Sequence, residues 1–219
     1  MYRSLIPLIR SADNYAPFLP LLWRLSSSQI FTLRNHPQFA EFHDRILPPH
    51  RLLIAGRQVG KSLNINFGLL TIAATVPNFK QLFIVPLYEQ ARRFSANVVN
   101  QALKWSWPGK TLFNPATCEN NVLQKTLTNG SKLVLSYCYT GPDRVRSIQA
   151  DAVTYDEVQD TDYDSLPIMS QCMSGSENWR FTTYGGTGKT TDNAIEKLRL
   201  RYSQGEWTIP CRSCRKENR

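Results

Sequence analysis

Two groups of residues in this 219-residue chain have the types and spacing needed to bind a nucleoside triphosphate. The first is AGRQVGKS at 55–62, a glycine-containing loop followed by a lysine and a hydroxyl residue. In such loops backbone N–H groups surround the phosphates, the lysine reaches the β- and γ-phosphates, and the hydroxyl serves Mg²⁺. The residues predicted to contact ATP here are Ala55, Gly56, Arg57, Gln58, Val59, Gly60, Lys61 and Ser62.

The second group is an acidic pair, Asp156 and Glu157, which follows the apolar segment DAVTY. A triphosphatase needs one carboxylate for the metal and a base for the attacking water. We therefore expect Asp156 to hold Mg²⁺ together with Ser62, and Glu157 to turn away at the strand end and orient the water. Alone, the pair would be interpreted as a solvated acidic turn, but together with a phosphate loop it predicts catalysis.

A second segment, YGGTGKTT at 184–191, repeats the Gly-Lys-Thr tripeptide. Five residues before Gly188 the motif requires glycine or alanine, whereas Thr183 stands there. Residues 191–193 are Thr, Asp and Asn, which are typical of a helix cap and not of a helix interior. The sequence therefore predicts one phosphate loop, at 55–62.

The phosphate loop requires a strand before it and a helix after it, and the surrounding pattern supplies both. Apolar, β-rich runs predict strands at 51–55, 81–86, 132–138, 151–157 and 179–186. Helix-length segments predict helices at 61–75, 87–105 and 191–202, and Asn129-Gly130 predicts a hairpin before the acidic strand. This alternation predicts an α/β, P-loop NTPase (RecA/ASCE-like) three-layer fold with a central, mainly parallel sheet.

The chain divides into three segments by composition. Residues 1–50 form an expected helical preamble, in which apolar clusters at 17–24 and 29–33 suit short helices. Residues 51–208 are the expected P-loop ATPase core. Residues 209–219 are expected to be a truncated linker, in which Cys211 and Cys214 have the spacing of half a zinc site. A tetrahedral site needs four ligands, so we expect no metal bound by this cysteine pair in this chain.

Charge and cysteine content limit the cellular context. A formal charge of +9 favours a polyanionic partner such as nucleic acid, with a merely solvated basic surface as the alternative. Five cysteines, an odd number, do not indicate an extracellular disulfide framework, and the N-terminal residues contain no long apolar run. We therefore expect a cytoplasmic protein without a membrane segment.

These motifs, in this order, resemble the N-terminal ATPase domain of the large terminase subunit, the motor that packages double-stranded DNA into viral capsids. The resemblance runs from about residue 36 to 214. It rests on HPQF, AGRQVGKS, FIVPLYEQARRF, NGSKLVLSYCYTGPDRVRSIQADAVTYDE and YGGTGK. It implies Mg²⁺-dependent ATP hydrolysis coupled to DNA translocation. The family's nuclease domain has no counterpart here, so we expect no DNA cleavage.

The resemblance also implies roles for residues outside the loop. Thr187 resembles the threonine of a motif that couples hydrolysis to movement, although Gly188 stands where the family usually has proline. Gln38 resembles a glutamine that binds the adenine edge; a surface glutamine is the alternative. Arg57 resembles an arginine near the γ-phosphate, with a structural ion pair as the alternative. Arg146 resembles an arginine finger acting in cis or on a neighbouring subunit, and Arg144 is its rival.

The implied partners are double-stranded DNA, the portal protein and the small terminase subunit. The implied assembly is a homo-oligomeric ring during packaging, with a monomer in isolation as the alternative. The implied location is the host cytoplasm, transiently at the procapsid portal. Two other functions remain open from the sequence: a helicase or translocase fragment, and a nucleotide-binding assembly module with little turnover.

Overall fold

The structure is a computed structural model in which residues 2–44, 48–139 and 141–218 are described. The α-helices are α1 (Tyr2–Ser11), α2 (Leu19–Leu22), α3 (Lys61–Thr75), α4 (Tyr88–Phe94), α5 (Asn100–Trp105), α6 (Trp107–Leu112), α7 (Ser165–Ser170) and α8 (Ala194–Arg199). The strands are β1 (His50–Ile54), β2 (Lys80–Val85), β3 (Gln124–Thr126), β4 (Lys132–Tyr137), β5 (Ala152–Tyr155), β6 (Phe181–Gly186), β7 (Ile209–Pro210) and β8 (Glu217–Asn218). No helix among these residues is long and apolar enough to cross a membrane.

Six strands of the described chain form one sheet in the order β1-β6-β5-β2-β4-β3. All neighbours pair in parallel except β3 and β4, which form the antiparallel hairpin predicted around Asn129-Gly130. Gly130 has φ 83°, a left-handed turn conformation that glycine adopts without steric cost. Because β1, β6 and β5 are parallel neighbours, their carboxyl ends lie side by side at one edge of the sheet.

The sheet is covered on both faces, and β2 shows why. Its alternate residues Phe83 and Val85 join one buried cluster, which includes α3 and the N-terminal region. Leu82 and Ile84 join a second cluster on the other face, with α7 and α8. Successive strand side chains point to opposite faces, so a fully buried strand requires an apolar layer on each side. The predicted three-layer α/β architecture is confirmed.

The N-terminal region packs directly on α3. The Trp23 and Phe31 rings lie 5.1 Å and 4.5 Å from the Phe67 ring, and all three side chains are buried. The prediction of a short helix at 17–24 is confirmed by a 3₁₀ turn followed by α2, whereas the helix predicted at 29–33 is wrong. That segment is extended because the Phe31 N–H donates to the Trp23 carbonyl, which pairs the two sides of a turn. The sequence predicts no specific helix at the position of α1.

Two of the three helices predicted in the core are observed close to their predicted bounds, and the third is shorter than predicted. Helix α3 spans the predicted 61–75, and the predicted helix at 87–105 runs from Tyr88 to Trp105, with a π-helical turn at Ser95–Val99 between α4 and α5. The last predicted helix, 191–202, is shorter and begins after Asn193. The Asn193 side chain accepts a hydrogen bond from the Glu196 N–H and caps α8.

Candidate nucleotide-binding site

The predicted phosphate loop joins β1 to the N-terminus of α3. Its left-handed positions are Gln58, with φ 62°, and Gly60, with φ 81°, and Gly60 is the N-cap of α3. The Ala55 N–H donates to the Gly186 carbonyl at 3.1 Å, which joins the start of the loop to the end of β6. Gly56, Arg57 and Gln58 are exposed, Val59 is half-buried, and Lys61 is buried. The loop thus presents its backbone to solvent in front of a 15-residue helix, where the helix dipole favours an anion.

Asp156 is a buried carboxylate at the end of β5. It is 5% exposed, and its N–H continues the ladder to the Ile84 carbonyl. Burial raises the pKa of Asp156, and the Glu157 charge adds to that rise, while a hydrogen bond with Ser62 opposes it. A Cβ at Gly185 would lie 3.3 Å from Asp156 Oδ1, so glycine leaves room beside this oxygen. The Ser62 hydroxyl and the Asp156 carboxylate together form an oxygen pair of the kind that Mg²⁺ prefers.

Glu157 turns out of the strand, as the sequence requires of a second acidic residue. Its φ is 53°, a left-handed conformation that non-glycine residues adopt at a cost and mostly at functional sites. Lys61 Nζ lies 3.3 Å from Glu157 Oε1 and 3.3 Å from Thr187 Oγ1, so it donates to both. The Lys61–Glu157 ion pair is partly shielded, with exposures of 6% and 32%. The three predicted motifs therefore meet at one lysine.

Two hydrogen-bonding residues beside these motifs have no signal in the sequence. Asn64 donates to the Gly60 carbonyl at 2.9 Å and lies 3.4 Å from His43 Nε2. Gln159 is buried between Glu157 and Thr187 and bonds to both. Their roles depend on neighbours that only the folded chain brings together, so local pattern does not identify them.

The segment carrying Gln38 lies against α3. It is a 3₁₀ helix, Pro37–His43, and the close contact is made at Gly68, where an added Cβ would lie 3.4 Å from both His43 Nδ1 and the Phe42 carbonyl. Gln38 is half-buried, and its side chain makes no hydrogen bond to a described residue. The His43–Asn64–Gly60 chain connects this segment to the phosphate loop. An adenine-binding role for Gln38 remains a prediction.

The candidate arginines lie in different places. Arg57 is exposed within the loop. Arg146 pairs with Asp143 at 3.3 Å, and the Arg144 guanidinium lies 4.5 Å from the centre of the Tyr137 ring. Both arginines lie in the segment between β4 and β5; β4 is four strand positions from β1 but only two from β5, or roughly 19 Å and 10 Å across the sheet. Arg57 is therefore local to the loop, whereas Arg144 and Arg146 lie in a separate segment that leads from β4 into β5.

The cysteine pair forms a small turn of its own. Cys211 and Cys214 are free thiols between β7 and β8, and the Cys211 N–H donates to the Lys216 carbonyl at 2.8 Å. The backbone N–H groups of Cys214 and Ser213 lower the pKa of Cys211. Within the described residues, no cluster of three or more His, Cys, Asp or Glu side chains could hold a metal ion.

Comparison with solved structures finds the large terminases of several bacteriophages. The large terminase ATPase domain of Thermus phage P74-26 aligns with a TM-score of 0.61 at 19% identity, over 77% of this chain and 70% of that chain. The large terminase of bacteriophage HK97 aligns with a TM-score of 0.66 at 13% identity, over 86% of this chain and 41% of that chain. The chain has the fold of a phage large terminase ATPase domain. The predicted P-loop NTPase fold is confirmed.

A third solved structure, the large terminase of a thermophilic bacteriophage in complex with ADP, aligns with a TM-score of 0.55 at 12% identity. The alignment covers 78% of this chain and 42% of that chain. This chain thus spans less than half the length of the HK97 protein and of this ADP-bound protein. No family model and no curated protein matches the sequence, so the likeness to terminases is one of three-dimensional fold.

Proposed function

We propose that this chain is the ATP-hydrolysing motor domain of a viral terminase large subunit, which powers translocation of double-stranded DNA into a procapsid. The observation that carries the proposal is the position of Lys61 Nζ, 3.3 Å from both Glu157 and Thr187. Three segments singled out separately in the sequence converge there. The terminase-type fold and an ADP complex of one similar protein support the same function.

The phosphate loop binds the triphosphate in this proposal. Backbone N–H groups of residues 56–62 and the N-terminus of α3 surround the β- and γ-phosphates. Lys61 exchanges Glu157 and Thr187 for phosphate oxygens, since a phosphate carries more charge than a single carboxylate. Gln38 contacts the adenine through the donor and acceptor of its carboxamide.

Ser62 and Asp156 would hold Mg²⁺ at this site. Their hydroxyl and carboxylate oxygens suit a hard cation, and burial disfavours an unpaired Asp156 anion, which a cation would stabilise. When bound there, the cation would supply positive charge to offset the charge that develops on the phosphate oxygens. The residues around that position bind the triphosphate, align it and exclude bulk water.

Glu157 orients the attacking water once Lys61 has moved to the phosphates. Its carboxylate then loses an ion-pair partner and gains an exposed oxygen to accept the water proton. Thr187 loses the same lysine, so the turn after β6 responds to the presence of the γ-phosphate. Arg57 stabilises transition-state charge from within the loop, and Arg146 is an arginine finger that acts in cis or on a neighbouring subunit, with Arg144 as its rival.

The proposed polymer partner is double-stranded DNA, contacted through its phosphates. The basic residues considered for this surface are Arg92, Arg93, Lys104, Lys110, Arg144, Lys189, Lys197, Arg199 and Arg201. Most of them contact an acidic side chain or an aromatic ring. Exposed contacts of this kind are weak and are readily exchanged for a phosphate. Portal protein, small terminase subunit and a homo-oligomeric ring complete the proposed assembly, in the host cytoplasm and at the portal.

ATP turnover and nucleotide binding by matched variants test this function. We expect Glu157→Gln to lower kcat by roughly 10²–10⁴-fold with nucleotide still bound, and Lys61→Ala to weaken both binding and turnover. Glu177→Gln and Lys132→Ala, at exposed positions away from the loop, should behave as the native chain does. Equal rates in all five proteins would show that hydrolysis does not occur at this site.

Two other functions make different predictions. A nucleotide-binding assembly module would bind ATP with background turnover that Glu157→Gln leaves unchanged. A helicase fragment would separate the strands of duplex DNA, which a packaging motor leaves paired. Detection of strand separation would therefore contradict the packaging proposal.

A further inference from the structure

The buried side chain of Gln159 lies between two of the proposed functional groups. It belongs to a short 3₁₀ turn, Val158–Asp160, that follows the left-handed Glu157. Gln159 is 7% exposed, and both ends of its carboxamide are used. Nε2 donates to Glu157 Oε2 at 2.5 Å and to Asp160 Oδ2 at 3.3 Å. Oε1 accepts from the Thr187 N–H at 3.0 Å.

These contacts require a carboxamide. The Thr187 N–H needs an acceptor and the Glu157 carboxylate needs a donor, and glutamine supplies one of each on a single rigid group. A leucine would leave both partners without their bonds, and a carboxylate would satisfy Thr187 but repel Glu157. Gly186 leaves space for this group, because an added Cβ there would overlap Gln159 Oε1.

With Lys61, these residues close a ring of hydrogen bonds. Lys61 bonds to Glu157 Oε1 and to Thr187 Oγ1, while Gln159 bonds to Glu157 Oε2 and to the Thr187 N–H. A phosphate that takes Lys61 breaks the two lysine bonds and leaves the two glutamine bonds. Glu157 and the Thr187 turn therefore remain connected when the lysine leaves.

We propose that Gln159 is a positioning residue that holds the Glu157 carboxylate in register with the turn at Thr187, so that both respond to the nucleotide as one unit. The catalytic consequence rests on the proposed ATPase function. Without the Nε2–H donor, Glu157 is free to rotate, and a water-orienting group that is misplaced by about 1 Å costs on the order of 100-fold in rate. Nucleotide affinity depends on the loop, so it should change little.

Gln159→Leu removes both the hydrogen bond to Glu157 and the one from the Thr187 N–H, whereas Gln159→Glu removes only the first. We expect both variants to lower kcat roughly 10–100-fold while the Kd for a fluorescent ADP analogue stays within about threefold of native. Amide hydrogen exchange at Thr187 should be faster by at least about tenfold in Gln159→Leu, but close to native in Gln159→Glu, which keeps the acceptor. Gln171→Leu, an exposed glutamine in another 3₁₀ turn, is the control and should match the native chain in all three measurements.

Native kcat in either variant, or native protection of the Thr187 amide in Gln159→Leu, would overturn the proposal. The exchange measurement does not depend on turnover. If the native chain hydrolyses no ATP, the proposed function fails, and exchange at Thr187 still decides whether Gln159 holds that turn. Urea unfolding of each variant identifies any general loss of structure.

Discussion

Folding and the proposed metal binding place opposite demands on the Asp156 carboxylate. Its carboxylate is buried beside Glu157, so ionisation in the metal-free protein opposes the native state. Because the pKa of Asp156 is raised in the fold, its ionisation reduces stability at neutral pH; this loss shrinks as pH falls below the raised pKa and is gone below the ordinary value of 3.8. Functional sites commonly retain such unfavourable groups because activity requires them.

Replacing Asp156 with its neutral isostere should therefore stabilise the metal-free chain and inactivate it. We expect Asp156→Asn to raise the free energy of unfolding at pH 7 by on the order of 1 kcal/mol and to abolish Mg²⁺-dependent turnover. Urea unfolding in EDTA measures the first effect. Asp192→Asn, at an exposed position, is the control, and a less stable Asp156→Asn protein would contradict the interpretation.

At the scale of elements, the 3₁₀ helix Pro37–His43 and helix α3 are joined by a buried histidine. His43 is fully buried, and its Nε2 is hydrogen-bonded to the Asn64 side chain. It also lies close to the Arg51 guanidinium. Burial lowers the pKa of His43 to about 4, with Arg51 adding to the shift and Asn64 opposing it. The native state therefore holds the neutral imidazole, and the segment of Gln38 depends on that neutral form.

Acid should weaken this junction. The unfolded chain takes up the proton near pH 6.5 and the folded one only near 4, so the His43 contribution is present above pH 6.5 and is lost as pH falls towards 4. The loss is about 3 kcal/mol by linkage. His43→Gln should flatten the dependence of unfolding free energy on pH in this window. His50→Gln, at an exposed site, should keep the native slope; equal slopes for all three proteins would be the contrary result.

A second junction joins β6 to α8 through Gly186. An added Cβ would overlap Gln159 Oε1 and lie 2.5 Å from Ile195 Cδ1, so alanine would force strand and helix apart. We expect Gly186→Ala to cost about 1–3 kcal/mol in urea unfolding. Gly188→Ala, where nothing lies within 4 Å, should be close to native in stability. Similar values for the two would mean that β6 and α8 adjust without strain.

At the scale of the whole molecule, the N-terminal residues 1–50 and the α/β core that follows share one apolar cluster. Trp23 is 2% exposed, packs on Phe67 and donates from Nε1 to Thr71 Oγ1 at 2.9 Å. The boundary predicted at residue 50 thus separates sequence motifs only. The buried contacts of Trp23 with Phe67 and Thr71 join the two sides of that boundary.

A shared core predicts that the preamble and the sheet unfold together. Trp23→Ala should lower the free energy of unfolding by about 3–5 kcal/mol and preserve a single transition. Leu21→Ala, in α2 but 60% exposed, should change stability little. Two separate transitions, followed by fluorescence and circular dichroism, would indicate that residues 1–50 fold independently.

The sequence alone predicted the features that depend on local physics. The strand–loop–helix at 51–75 is encoded by a β-rich run, a glycine at a left-handed position and a helical segment, all within one stretch of chain. The hairpin at Asn129-Gly130 and the cap at Asn193 follow from turn and cap chemistry in the same way. The helix predicted at 29–33 was wrong because a contact with Trp23 outweighed local preference.

Only the tertiary structure decided which of these side chains contact one another. Lys61 meets Glu157 and Thr187 across 96 and 126 positions of chain, and only the order β1-β6-β5 brings those strand ends together. The sequence determined which residues have the chemistry of a triphosphate site, since residue type and local spacing suffice for that. The bonds of Gln159 and the burial of His43 were decided by packing, because hydrogen bonds and desolvation depend on neighbours that are remote in sequence and adjacent only in the fold.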